Sequence, residues 1–192
     1  IYKDTPFGRQ RTQGDLVELK EPLQADLFLE THRFLNNAGF EGYEVSNFSY
    51  RECHRSRHNE KYWKHQPYLG VGPSAHSFDG YRTRSWNVRT LLEWEECVKA
   101  GRDTESGRET LCDEQLLTET IMLRLRTREG LELDSLRQRF GLDLLDCNQK
   151  LVSKLVKEGL ISVDGSVLRP TLNGLAVADR LAASFRLPEK LQ

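Results

Sequence analysis

An α+β fold in two parts is predicted by three observations. Residues 21–48 read as helix, glycine and short strand, the way one unit of an α/β layer is written; residues 113–169 run through helices into an Asp-Gly hairpin; and a polar stretch, Gly101-Arg102-Asp103-Thr104-Glu105-Ser106-Gly107, separates them as linker and domain boundary. The expected division is therefore 1–106 and 107–192, the second part being three helices and a hairpin, the make-up of a winged helix.

In the first part, Ala25, Phe28, Leu29, His32 and Leu35 recur at three- and four-residue spacing, predicting a helix from Glu21 to Ala38 that Gly39 stops. Phe40 to Phe48 then reads as a buried strand. Such a strand needs parallel neighbours, which are expected upstream of this chain. The opening Ile1-Tyr2-Lys3-Asp4-Thr5-Pro6 has no initiating Met, and the chain reads as a fragment or processed piece. Next comes a helix over 57–66, Arg57-His58-Asn59-Glu60-Lys61-Tyr62-Trp63 and onward, with His58 and Tyr62 four apart on one face and Asn59 and Trp63 four apart beside them. Tyr68-Leu69-Gly70-Val71-Gly72-Pro73-Ser74-Ala75-His76-Ser77 supplies a short strand and a tight turn, with small residues that let backbone approach a ligand or another strand. Trp86-Asn87 leads into a helix bearing Leu91, Leu92, Trp94 and Val98 that stops near Gly101.

In the second part, Leu116, Leu117, Thr120, Ile121 and Leu125 define an amphipathic helix over 113–126. Asp134 is placed to cap a short helix ending at Phe140 and Gly141, and a longer helix from Leu144 to Glu158 carries Leu151, Val152, Leu155 and Val156 on one face. Leu160-Ile161-Ser162-Val163 and Ser166-Val167-Leu168-Arg169 flank Asp164-Gly165, a two-residue hairpin signal. A last helix runs from Leu172 to Phe185.

The totals exclude several function classes. Lys plus Arg number 28 and Asp plus Glu 29, a net charge of −1, so no overall field draws the chain to nucleic acid or anionic membrane. With a mean hydropathy of −0.62 and no apolar run near the roughly 18 residues a bilayer requires, no transmembrane segment is expected. Cys53, Cys97, Cys112 and Cys147 lie too far apart for a CxxC or CxxxCxxC site, and scattered thiols suit a reducing, cytoplasmic setting.

The 57–66 helix is the main candidate site. A neutral imidazole at His58 beside Tyr62 and Trp63 suits axial ligation of haem iron, the aromatics offering stacking surface and Asn59 orienting the second ring nitrogen. The competing reading is a helix that buries Tyr62 and Trp63 in a core while His58 only hydrogen-bonds. Cys53, His54 and His58 give at most three ligands for zinc, a weaker alternative. His65 and His76 lie near enough to support a site, whereas His32, on an apolar stripe, reads as core. Lys150, Lys154 and Lys157 form a basic stripe that could meet a DNA backbone, but Asp143, Asp146 and Glu158 dilute it, and a solvated helix face is favoured. Gly70-Val71-Gly72-Pro73 has the wrong flanks for a dinucleotide fingerprint and reads as a turn.

Several of these residues together resemble a known family. Thr5-Pro6-Phe7, Gly42-Tyr43-Glu44-Val45-Ser46-Asn47-Phe48, the His58-to-Trp63 run and Tyr68 to Ser77 are similar to the C-terminal half of radical-SAM proteins of the oxygen-independent coproporphyrinogen III oxidase type. Glu129-Gly130-Leu131, Arg139-Phe140-Gly141, Glu158-Gly159-Leu160 and Leu168-Arg169-Pro170-Thr171, with Gly174 and Asp179, fit that family's winged-helix-like C-terminal domain. Within it the HNxxYW run resembles the haem-chaperone branch, HemW, rather than the decarboxylating oxidase. The resemblance implies a trailing piece of a partial (β/α) barrel, a barrel-closing segment, and haem binding with His58 as axial ligand and Asn59, Tyr62 and Trp63 completing the motif. It implies two partners, a haem-receiving client protein and the N-terminal barrel. The 4Fe-4S cluster and S-adenosylmethionine would belong to the full-length parent alone, because the cysteine spacing here departs from CxxxCxxC, and no catalytic residue is expected in this chain. Two alternatives stay open: part of an oxidative decarboxylase of coproporphyrinogen III, and a DNA-binding or partner-docking winged helix.

Overall fold

Helix α1 (Pro6–Gln13) starts on the Thr5 hydroxyl, which accepts the Gly8 N–H at 3.1 Å, with proline in its first turn. This computed structural model describes residues 5–187, and the Ile1 to Asp4 opening lies outside them. α2 (Glu21–Asn37) forms where predicted but buries only His32, held between the rings of Phe28 and Phe48 at centroid distances of 4.4 and 4.5 Å. On its other face Leu23, Leu27 and Phe34 are exposed.

The single strand expected over 40–48 is instead two short antiparallel partners, β1 (Glu41–Gly42) and β2 (Phe48–Ser49). The buried Glu44 breaks it, accepting the Ser46 N–H at 3.0 Å and turning the chain back on itself. The backbone of 43–45 finds a partner far along the chain: Val45 N–H donates to the Arg126 carbonyl and Arg128 N–H to the Tyr43 carbonyl, both at 3.1 Å.

Helix α3 (Arg57–Trp63) is followed by a three-stranded antiparallel sheet in the order β3 (His76–Phe78), β4 (Thr83–Asn87), β5 (Glu105–Thr110). The tight approach foreseen for the glycine run is to a strand. A Cβ on Gly70 would stand 2.9 Å from His76 N and closer still to its carbonyl. Tyr68 and Phe78 exchange backbone hydrogen bonds of 2.9 Å beside it. Between β4 and β5 lies α4 (Leu91–Lys99), whose Leu91, Leu92 and Val98 are exposed while Cys97 is buried. The polar run 101–107 is not a free linker, because its end enters β5 and pairs with β4 across Trp86 and Gly107. β5 is polar throughout and mostly exposed, so pairing with β4 rather than burial holds it.

Beyond residue 110 the order is α5 (Asp113–Arg124), β6 (Leu131–Glu132), α6 (Leu133–Phe140), α7 (Leu144–Cys147), α8 (Gln149–Lys157), β7 (Ile161–Asp164), β8 (Val167–Pro170), α9 (Leu172–Leu175) and α10 (Ala178–Ala183). β8 lies between β6 and β7 in an antiparallel sheet. The main core is here: Leu117, Ile121, Leu125, Leu131, Leu136, Leu144, Leu155, Ile161 and Leu168 are all buried in one cluster. Phe78, Leu111 and Leu116 form a smaller cluster where β3 meets α5.

Four details depart from expectation. Asp134 is not a cap; it lies inside the first turn of α6 and pairs with Arg137 at 3.2 Å. The long 144–158 helix is broken at the buried Asn148, whose amide donates to the carbonyls of Leu144 and Arg186 and accepts the Arg186 N–H, at 3.0, 3.0 and 2.9 Å. Those bonds tie Arg186 down at the cost of helical continuity. The hairpin closes one residue later than the Asp-Gly pair indicated, with Asp164 opposite Val167 and Gly165-Ser166 as the turn, Gly165 at φ +57°. The last helix is also split, α9 and α10 being separated at Ala176-Val177. The mixed helix-and-sheet class is as predicted.

Candidate functional site

Helix α3 is short and anchored at both ends. The Ser56 hydroxyl accepts the Asn59 N–H at 3.3 Å, and the Ser56 N–H donates to the Tyr43 phenol at 3.2 Å. His65, just past the end, takes a left-handed conformation (φ +53°) that turns the chain toward Tyr68. On the exposed side, His58 Nε2 and Tyr62 Oη meet at 3.3 Å, with ring centroids 5.0 Å apart and nearly perpendicular. Tyr62 in turn meets Tyr68 edge-on at 4.7 Å. A shallow groove of about 460 Å³ runs beside His58, lined by Arg57, Glu60, Lys61, Lys64 and Gln66.

The four residues predicted to share one surface do not all do so. His58 and Tyr62 meet as their spacing requires. Among the described residues the Asn59 amide makes no hydrogen bond to His58, whose ring contact comes from Tyr62. Trp63 lines a different crevice of about 320 Å³, with Thr120, Arg124, Leu131, Leu136 and Arg139. Its Nε1 is buried with no hydrogen-bond partner among the described residues.

A second group of side chains joins the same segment to α5, and the sequence offered no sign of it. His65 Nε2 lies 3.1 Å from Glu119 Oε2, and Arg84 grips the same carboxylate with two bonds of 3.1 and 2.7 Å. His65 also stacks on Phe78 at 4.9 Å. Burial pushes the His65 imidazole below its ordinary value, against the upward pull of Glu119. A carboxylate only accepts, so the neutral ring carries its proton on Nε2 and leaves Nδ1 bare, buried and without a partner. Burial alone would raise the Glu119 carboxyl, but the Arg84 hydrogen bonds and charge, with His65, hold it low. Tyr62, Tyr68, Phe78, Arg84 and Glu119 enclose a cavity of about 210 Å³. Arg84 and Glu119 were missed because they lie on a strand and a helix far apart in sequence, with no spacing to link them to α3.

The other candidates stay apart. Cys53 is exposed, and among the described residues no group of three or more His, Cys, Asp or Glu side chains is placed to hold a metal ion, so Cys53, His54 and His58 do not form a zinc site. The same donor set offers nothing for an iron–sulfur cluster. His76 packs against Trp86 at 5.9 Å on the exposed edge of β3. His32 faces the Val45 carbonyl at 3.4 Å and is core, its ring held below the usual histidine value by burial. Lys154 pairs with Glu158 at 3.8 Å, which supports a solvated face for the α8 stripe. No helix among the described residues is long and apolar enough to cross a membrane.

Comparison with known proteins bears on the same residues. Residues 111–177 match the HemN C-terminal domain, a match that begins just after β5. The radical S-adenosyl methionine domain-containing protein 1, mitochondrial, of Bos taurus is 36% identical over 205 residues, covering 100% of this chain and 46% of its own length. The heme chaperone HemW of Mycobacterium tuberculosis is 31% identical over 185 residues, covering 96% of this chain and 45% of its own. The chain thus spans less than half the length of these curated relatives. Among solved structures, the coproporphyrinogen III oxidase HemN of Escherichia coli, a radical SAM enzyme, overlays 82% of this chain and 39% of its own with a TM-score of 0.56 at 17% identity, a likeness of fold. Residues 111–177 are therefore a HemN C-terminal domain, and the chain is homologous to the C-terminal portion of HemW and of radical S-adenosyl methionine domain-containing protein 1.

Proposed function

We propose that this chain forms one wall of a haem-handover site in a protein of HemW type, with His58 as the axial ligand and a haem-receiving client as partner. The observation that carries the reading is the exposed imidazole of His58, its Nε2 engaged among the described residues by the Tyr62 phenol alone, at 3.3 Å. That separation is at the long, weak end for an N···O hydrogen bond, so an incoming iron displaces it at small cost. The donor set fits haem as cargo. His58 supplies a nitrogen open to solvent, Tyr62 and Tyr68 supply aromatic surface, and the groove cations suit a ligand with carboxylates. A single open ligand on a short helix also suits a carrier, which must release what it holds.

Trp63 contributes indirectly in this reading. Its indole, set in the crevice beside α5 and α6, holds the orientation of α3, and the His65–Glu119–Arg84 bonds hold the other end. Residues 1–106 then act as the barrel-closing segment and 107–192 as the supporting domain, and the exposed face of α2 (Leu23, Leu27, Phe34) meets the radical-SAM barrel of the parent. The cluster and S-adenosylmethionine are held by that barrel, and no residue of this chain performs radical chemistry. The likeness to the oxidase is one of fold at 17% identity and gives decarboxylation no separate support. The experiment is an equilibrium titration of the chain with ferric haem followed by its Soret absorption. His58→Ala is expected to weaken binding at least about tenfold and to shift the band; an unchanged affinity and spectrum would remove His58 from the site.

A further inference from the structure

We infer that the groove beside His58 is a carboxylate-recognition site in which Arg57 and Lys61 bind the two propionate groups of the haem whose iron His58 takes, an inference that rests on the haem reading above. Three cations and one acid line this groove: Arg57, Lys61, Lys64 and Glu60. Lys64 is already neutralised, 3.6 Å from Glu60 and 4.0 Å from Glu129. Among the described residues Arg57 and Lys61 have no ion-pair partner and no side-chain hydrogen bond, which leaves two cations free next to one exposed imidazole.

Lys61 stands in the last turn of α3, where a cation is favoured, but the placement of Arg57 runs against local stability. Lys99 on α4 and Lys154 on α8 each face a carboxylate one turn away, Glu95 at 3.0 Å and Glu158 at 3.8 Å, whereas Lys150 and Lys157 on the longer α8 have no ion-pair partner among the described residues. On α3 the residue one turn after Arg57 is Lys61, a like-charge pair that weakens an isolated helix. Arg57 is also the first residue of that helix, where an acidic side chain is favoured and a cation is not. A seven-residue helix has little stability to give up, so two opposing choices in it mark a requirement outside the helix. A dianionic ligand meets that requirement. Each carboxylate turns a repelling cation into a charge-assisted pair, and the i, i+4 spacing sets the two cations side by side on the stripe next to His58. Arg57 takes a carboxylate in bidentate fashion, Lys61 as a point charge.

The test compares the 192-residue chain binding ferric haem and ferric haem dimethyl ester, which keeps the iron and removes both carboxylate charges. The wild type is expected to favour the diacid by at least about tenfold. Arg57→Gln/Lys61→Gln should abolish that preference while leaving affinity for the ester unchanged, and Arg57→Lys/Lys61→Arg should restore it. Equal wild-type affinity for the two porphyrins, or a preference that survives the double glutamine variant, would overturn the inference. His58→Ala separates the two claims: weakening both porphyrins while keeping their ratio supports both. If His58→Ala changes neither affinity but the double glutamine variant still erases the preference, the ligand reading fails and the carboxylate site stands.

Discussion

His58 on α3 and His65 just past its end stand in opposite surroundings. His58 is exposed, with a long contact to Tyr62; His65 is packed on Phe78 and bound to Glu119. The first was legible in the sequence because one helical turn brings His58 and Tyr62 together whatever the rest of the chain does. The second was not, because Arg84 and Glu119 reach His65 only once the sheet and α5 have docked. His65 and His32 both have their pKa lowered by burial. Unfolded, each takes up a proton as pH falls through about 6.5; folded, each resists until a lower pH. The unfolded state therefore binds more protons below about 6.5, and stability should fall with pH across that window, levelling once the folded values are passed. Urea midpoints at several pH values between 7.5 and 5 check this, and His65→Phe, which keeps the ring stack, should show a shallower slope. Identical slopes for the two proteins would contradict the assignment.

At the scale of elements, apolar periodicity located α2 and α5 closely, since a helix with a buried face writes its period into the sequence, while the Gly141 stop marked the end of α6. What it could not locate were interruptions caused by single polar side chains. Asn148 splits one predicted helix by bonding Arg186, a contact invisible before the C-terminus folds back, and Glu44 splits one predicted strand through its bond to Ser46. β5 was hidden because Glu105 to Thr110 is polar throughout and is held by pairing with β4 rather than by burial. The Tyr68-to-Ser77 run is the reverse case, its small residues correctly announcing close backbone approach. Gly70→Ala would press a methyl into the His76 backbone, and with no flexible side chain there to give way it should cost at least about 2 kcal/mol. Chemical denaturation measures that loss; a cost within about 0.5 kcal/mol would show that the two segments are not in contact.

On the scale of the whole molecule, one side is well packed and another is left open. The core between α5 and α10 is closed by buried leucines, whereas α2 presents Leu23, Leu27 and Phe34 and α4 presents Leu91, Leu92 and Val98 to solvent. The parallel neighbours expected for a strand over 40–48 lose their premise, because that stretch forms the antiparallel pair β1 and β2. Phe34 is 69% exposed, so in this chain by itself Phe34→Asp should change stability by less than about 0.5 kcal/mol, while in a longer chain carrying the barrel proposed above it should cost far more. An equal effect in both would mean that nothing covers the face. The central claim is the proposal that this chain grips haem through one imidazole on α3. Resonance Raman spectroscopy of the ferrous haem complex tests it most directly: an iron–histidine stretching band is expected in the wild type and should vanish in His58→Ala, whereas its persistence in that variant would contradict the account.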